Sequence, residues 1–413
     1  MDPLDARLVF DPEFALGVVA FAFAGIALGT VSGLTPGLHA NNFALLLASA
    51  AASVPGSPTF VAAAVLAAGV VHTFLDVVPA LALGVPDAEM APSALPGHRL
   101  VVAGRGREAL RLSAVGSAGA VLVSIPLAIP ITAVMTAAYP TVREHLGVVL
   151  AAVVGFLLLS EPTVRAAAGG TVAFGLSAAL GAATLDLSPA APLDAGGMLA
   201  PLFTGLFGAP VLLDALDGAG VPPQGDPNLT MPPRDLGLTA LAGSVSGAIV
   251  GYLPGVSAAI ASVLALPLVP GRSGARGFLV ATSGANTANT VFALFALVSL
   301  GTPRTGVMVA LDRLNAPRPL PLLLAVTALA AVAGFVLVIA VGDAYLRTVG
   351  RADYAALSLF VLAALVFVSY LFAGATGVAV FLVATALGLV PPRLGTRRVH
   401  LMGVLIGPLA LGL

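Results

Sequence analysis

Two polar stretches interrupt an otherwise apolar sequence: His72-Thr73 with Asp76, and Ser283-Gly284-Ala285-Asn286-Thr287-Ala288-Asn289-Thr290. His72 and Asp76 are four residues apart and share a helix face. An imidazole changes charge near neutral pH, and a carboxylate can carry a proton or hold a cation. Ionisable groups inside a membrane are costly and point to function, so His72 and Asp76 are the candidates for coupling to Na⁺ or H⁺. The structural alternative is a buried pair that satisfies itself. The stretch 283–290 is too polar to face lipid; it suits the lining of a cavity, with Asn286, Thr287, Asn289 and Thr290 as hydrogen-bonding candidates. Its alternative is a hydrogen-bonded seam between helices.

A second kind of chemistry lies in two Pro-Gly breaks. Gly29-Thr30-Val31-Ser32-Gly33-Leu34-Thr35-Pro36-Gly37-Leu38-His39-Ala40 and Gly247-Ala248-Ile249-Val250-Gly251-Tyr252-Leu253-Pro254-Gly255-Val256-Ser257-Ala258 share the skeleton G-x-x-x-G-x-x-P-G-x-x-A. Proline fits the first turn of a helix, and glycine lets a ligand approach the backbone. A helix beginning after each break would aim free N–H groups and the positive end of its dipole inward, which favours an anion. Pro36, Gly37, Pro254 and Gly255 are therefore binding candidates, joined by the polar residues behind the breaks: His39, Asn41, Asn42 and Ser257. A purely structural kink is the alternative. Gly25, Gly29 and Gly33, like Gly243, Gly247, Gly251 and Gly255, recur every four residues. They make a flat stripe that lets another helix come close.

Composition supplies the setting. The chain has 413 residues, 59% hydrophobic and 9% charged, against about 25% charged in soluble domains. Apolar runs long enough to span a bilayer recur to the end. The expected fold is an all-α polytopic membrane protein with about 10 to 14 membrane segments, and multi-pass insertion in the cell membrane. Cysteine is absent, which removes disulfides and thiolate metal sites, and no metal cluster is foreseen. Net charge is −1, so nothing suggests a nucleic-acid partner. The acidic start, with Asp2, Asp5, Asp11 and Glu13, is unlike a signal peptide.

Apolar segments cover 14–34, 36–54, 58–84, 112–138, 146–160, 164–183 and 197–216, and then 236–253, 255–270, 277–303, 319–342, 354–370, 373–390 and 399–413. Matching order implies a first transmembrane repeat over 1–216, a Pro-rich linker over 217–235 and a second repeat over 236–413. The breaks align at one offset, and Leu83-Gly84-Val85-Pro86 aligns with Leu300-Gly301-Thr302-Pro303 one residue off it. Each of these is followed by an Arg-containing loop. An odd number of crossings per half would invert the repeats, with broken or re-entrant helices at the Pro-Gly motifs, a transporter signature. Alternating from a cytoplasmic 99–111 loop leaves Arg7, Arg143, Arg304, Arg313 and Arg318 outside and the other arginines inside. Glu161 and Arg165 read as an i, i+4 pair at a loop. No nucleotide loop, His-Glu-x-x-His or Ser-His-Asp arrangement points to an enzyme.

On these residues the sequence resembles the TctA family, the large membrane subunit of tripartite tricarboxylate transporters, and in particular its shorter archaeal relatives. The Gly-rich helix ending at Pro36-Gly37, the Leu83–Pro86 and Leu300–Pro303 elements, Gly106-Arg107-Glu108-Ala109-Leu110 with Gly116-Ser117, and Leu202-Phe203-Thr204-Gly205-Leu206-Phe207-Gly208 are similar to that family's motifs. The resemblance implies an ion-gradient-coupled permease for small organic anions (carboxylates), working with a small membrane subunit and an extracytoplasmic binding protein, with no cofactor. Pro254-Gly255-Val256-Ser257 is also similar to an element of polyprenyl-phosphate transporters, which implies a lipid phosphate as ligand and a tail left in the lipid bilayer. A non-transporting scaffold or subunit is the third reading. A homo-oligomer is compatible with each.

Overall fold

The computed structural model describes residues 11–36, 38, 40, 43–44, 47, 56–84, 90–193, 197–216, 221–253, 256–351 and 353–412. They are almost all helical. Capping begins at once: Asp11 accepts from the backbone N–H groups of Glu13 and Phe14, and Pro12 occupies the first turn of α1 (Pro12–Leu34). Thr35 closes α1 in an extended conformation ahead of Pro36. The segment 36–54 falls largely outside the described residues.

Ser57 and Pro58 start α2 (Pro58–Leu75), which continues past Asp76 into α3 (Val77–Leu83). The interruption has a covalent cause. Pro79 has no N–H for the Leu75 carbonyl, and its ring crowds that turn. Gly84 then ends α3 in the left-handed conformation (φ 68°), as Gly301 (φ 64°) ends the later α12. The paired Leu-Gly elements in the sequence are thus helix C-terminal caps.

Helix α4 (Ala91–Val102) is followed by α5 (Gly106–Glu144), α6 (Leu146–Leu159) and α7 (Val164–Thr184). Next come α8 (Leu199–Phe203), a π-helical turn and α9 (Ala209–Ala215). Beyond the linker lie α10 (Pro233–Gly251), α11 (Ala258–Ala265), α12 (Gly274–Leu300) and α13 (Gly306–Arg313). The chain closes with α14 (Leu320–Val349), α15 (Tyr354–Gly388), α16 (Val390–Leu394) and α17 (Gly403–Leu411). Helix α15 is broken at Ala373 and Gly374, where Gly374 takes φ 59°. Two stretches expected as Arg-containing loops therefore each carry a helix, α4 and α13. Thr305 caps α13 by accepting from Met308 N–H.

Among the described residues, 7 helices are long and apolar enough to cross a membrane, accompanied by shorter apolar helices such as α6 and the segment Arg398–Leu411. Two of the long ones are interior: the Pro58–Leu83 span is 94% buried and the Gly271–Leu300 span 83%, while the other five are 28–39% buried. Exposed apolar side chains on the outer helices include Leu122 and Ile129 on α5 and Val332 and Val336 on α14. Around the interior pair the packing alternates. Helix α1 packs on α2 and α10 on α12, while α5 packs on α12 and α14 on α2. Farther out, α17 packs on α7, and α8 and α9 pack on α15.

Gln224 and Gly225 are docked on the turn between α4 and α5. Gln224 accepts from Gly106 N–H (2.6 Å) and donates to the Val101 carbonyl (3.1 Å), and Gly225 N–H donates to the Gly104 carbonyl (2.8 Å).

Candidate functional site

The glycine stripes fix how closely the inner helices approach. A Cβ at Gly25 or Gly29 would collide with the carbonyl oxygens of Ala64 and Ala68 on α2, and one at Gly33 would lie 2.6 Å from Leu75 Cβ. On the other pair, a Cβ at Gly243 or Gly247 would collide with the carbonyl oxygens of Ala281 and Ala285 on α12, and one at Gly251 would lie 2.7 Å from Phe292 Cβ. The stripes are packing surfaces, and the end of each abuts the polar turn of an interior helix. Gly33 lies against the His72 carbonyl and the Asp76 N–H; Gly251 lies against the Asn289 carbonyl.

Three interhelical contacts build the polar centre. Ser32 Oγ and His72 Nδ1 are 2.9 Å apart between α1 and α2. Because the Ser32 hydroxyl donates to the Gly29 carbonyl (3.1 Å), His72 Nδ1–H is the donor to Ser32. Thr73 donates to the Val70 carbonyl, so Thr287 donates to Thr73 across 3.1 Å. Asn286 Nδ2 donates to Asp76 Oδ2 at 2.6 Å, joining the interruption after α2 to the middle of α12. All of these side chains are buried, as are Asn289 and Thr290. The Asn286 carbonyl oxygen, also buried, has no hydrogen-bond donor among the described residues, and neither does the buried hydroxyl of Ser257.

The stretch 283–290 is divided between neighbours. Ser283 bonds to α5, with Ser113 Oγ at 2.8 Å and Ser117 donating to its carbonyl at 3.2 Å, while Asn286 and Thr287 turn to α2. In this conformation Ser283, Asn286 and Thr287 are bonded to neighbouring helices. Of the other candidates, Pro36 follows α1 directly, and Thr35, Pro36 and Leu38 border an apolar cleft of about 240 Å³ against Phe360 and Val361 of α15. Gly37, His39, Asn41, Asn42, Pro254 and Gly255 lie outside the described residues.

Some polar partners were not singled out by sequence reasoning. Ser32 stands inside the first Gly-rich motif. Tyr252, fully buried beside the second break, pairs with Thr132 of α5 at 2.5 Å between hydroxyls. Glu108 is buried and collects Arg276 (2.9 Å), Arg105 (2.7 Å) and both the N–H and hydroxyl of Thr230, so the linker and both halves meet on one carboxylate. Glu161 is held by Arg397 (2.8 Å) and His400 (2.7 Å), not by Arg165. It sits in the turn before Thr163 caps α7, where helical i, i+4 spacing does not apply. Burial pushes the Glu161 carboxyl up, but the hydrogen bonds from Arg397 and His400 and the Arg397 charge outweigh it, leaving it below the ordinary carboxylate range.

Residues 19–403 match the family described as "Tripartite tricarboxylate transporter TctA family". An uncharacterized protein of Methanocaldococcus jannaschii is 28% identical over 400 residues, covering 94% of this chain and 97% of the relative. No solved structure matches.

Proposed function

The chain belongs to the tripartite tricarboxylate transporter TctA family, and from that premise we propose that it is a secondary-active permease for small organic anions, driven by Na⁺ or H⁺. Membership makes it a multi-pass membrane component of a transporter, from a transporter family rather than an enzyme family. The finer reading is ours: carboxylate substrates held at helix N-termini after the two Pro-Gly breaks, two inverted repeats, residence in the cell membrane, and work with a small membrane subunit and an extracytoplasmic binding protein.

The observation that carries the coupling role is Asp76 at the interruption of the most buried helix, hydrogen-bonded to Asn286. Broken helices inside membranes are tolerated where they are enclosed by protein or line a path. There the freed backbone and a carboxylate can trade a proton or a hard cation. The Asn286 oxygen, lacking a donor, is a ready additional ligand for Na⁺, which takes oxygen donors as other hard cations do. Alternation of packing between the halves supports a rocking motion about the α2–α12 seam.

The test is uptake of radiolabelled carboxylates into proteoliposomes under imposed Na⁺ or H⁺ gradients, with the binding protein supplied. Asp76→Asn abolishes gradient-driven uptake while the melting temperature stays near the parent's. Unchanged uptake removes Asp76 from the mechanism. The lipid-phosphate reading draws on one observation, the apolar cleft beside Pro36, which would suit a chain reaching in from the bilayer. A polyprenyl phosphate that co-purifies and is displaced by Asn289 substitution would favour it.

A further inference from the structure

The lipid-facing helices α5 and α14 carry a charged pocket where they meet. The first turns of α5 present Arg107 and Arg111, one helical turn apart. Near the end of α14 stand Asp343 and Arg347. A Cβ at Gly342 would lie 2.7 Å from Leu110, so at this point the two helices are in close contact. Beside that contact is a cavity of about 120 Å³ lined by Arg107, Leu110, Arg111, Ile339, Ala340 and Asp343. It has room for about four waters, enough for a phosphate group.

The charges there do not balance. Arg107 Nε lies 2.9 Å from Asp343 Oδ1, and Arg347 lies 2.6 Å from Asp343 Oδ2, so one carboxylate serves two guanidinium groups. Arg111, half-buried in the same cavity wall, pairs with no carboxylate among the described residues. Three arginines against one aspartate leave an excess of two positive charges, at helix ends that lie at headgroup level when α5 and α14 cross the membrane. Arginine favours phosphate through its planar fork of donors, and the N-terminal dipole of α5 acts in the same sense.

We propose that this pocket is a binding site for the phosphate of an anionic phospholipid, with Arg111 and Arg107 as its ligands and the acyl chains lying along the α5 and α14 surfaces. Basic pockets between membrane helices take such headgroups. The exposed Leu122, Ile129, Val332 and Val336 farther along the two helices supply an apolar track for the chains. The site is independent of the transported ligand.

The experiment is native mass spectrometry of the full-length protein in detergent, with added phosphatidylglycerol or phosphatidylcholine and, separately, inorganic phosphate in a thermal-shift assay. Phosphatidylglycerol should be retained over phosphatidylcholine. Arg111→Gln should lower its retention about five-fold, the effect of one basic residue on an anionic lipid, and Arg111→Lys should largely keep it. Equal retention of the two lipids, or no change in Arg111→Gln, overturns the proposal. Stabilisation by inorganic phosphate equal to that by phosphatidylglycerol also overturns it, because the site would then be one for the free anion. If Arg111→Gln does not fold, Asp343→Asn decides: removing the competing carboxylate should raise phosphatidylglycerol retention, and unchanged or lower retention refutes the site.

Discussion

Helices α1 and α2 meet along the same kind of glycine-to-carbonyl track as α10 and α12, yet the two interior helices end differently. On α2 the track leads to His72 and Asp76, and Pro79 interrupts the helix just beyond. On α12 it leads to Asn289, Ala293 stands at the position corresponding to Asp76, Ala296 at that of Pro79, and the helix runs unbroken to Leu300. One helix keeps ionisable groups at a weak point in its backbone; the other offers amides and hydroxyls on a continuous rod. The same backbone approach can thus carry ionisable groups beside a proline on one side and a run of amides and hydroxyls on the other. On this view coupling belongs to the α1–α2 pair and orientation of the ligand to the α10–α12 pair.

The largest effect tests whether the pairs are interchangeable. Adding Ala293→Asp to Asp76→Asn should leave uptake at background, because α12 has no break to expose the new carboxylate. Restored gradient-driven transport would make the pairs equivalent and end the proposed division of labour. Next, Gly29→Val and Gly247→Val should each destabilise the protein by about 1–3 kcal/mol, or more because backbone is what the new side chain meets. Thermal unfolding in detergent reads this, and tolerance at only one position would show that the tracks are not alike.

Pro79→Ala restores an N–H and makes α2 resemble α12. The melting temperature should rise, since proline inside a helix is unfavourable, while uptake falls; a fall in stability with normal uptake would show the break to be packing alone. The smallest effect is a background that any pH study of His72 must subtract. Glu161, in the turn between α6 and α7, has its folded carboxyl held below the ordinary range, so its stabilisation is complete above about pH 4.5 and is lost as pH falls through the lower folded value. Glu161→Gln should flatten that acid limb of melting temperature against pH.

Much of the fold was legible because membrane helices write themselves as long apolar runs, and 58–84, 164–183, 277–303 and 319–342 all became helices. Helices α4 and α13 escaped notice because 12 and 8 residues hold few periods of any pattern, and α4 contains Pro96. At the site, burying cost marked out His72, Asp76 and Asn286. Their partners were not legible in advance: Ser32 and His72 are 40 residues apart, and Asp76 and Asn286 are 210. Pro79 did signal the break after α2, but it lay inside a run whose hydropathy masked it. Glu161 was matched to the nearest arginine in sequence, whereas its ion-pair partner, Arg397, lies 236 residues on.

The carboxylate of Glu108 also sets an order of events during synthesis. Thr230 follows it by 122 residues and Arg276 by 168. At roughly 5–20 residues per second, a ribosome needs about ten to thirty seconds to make the second of these. Through that interval Arg105, one turn away, is the counter-charge at hand. The partners of Glu108 are thus complete only once Arg276 has been made, so Glu108 marks the moment at which the two halves become one protein.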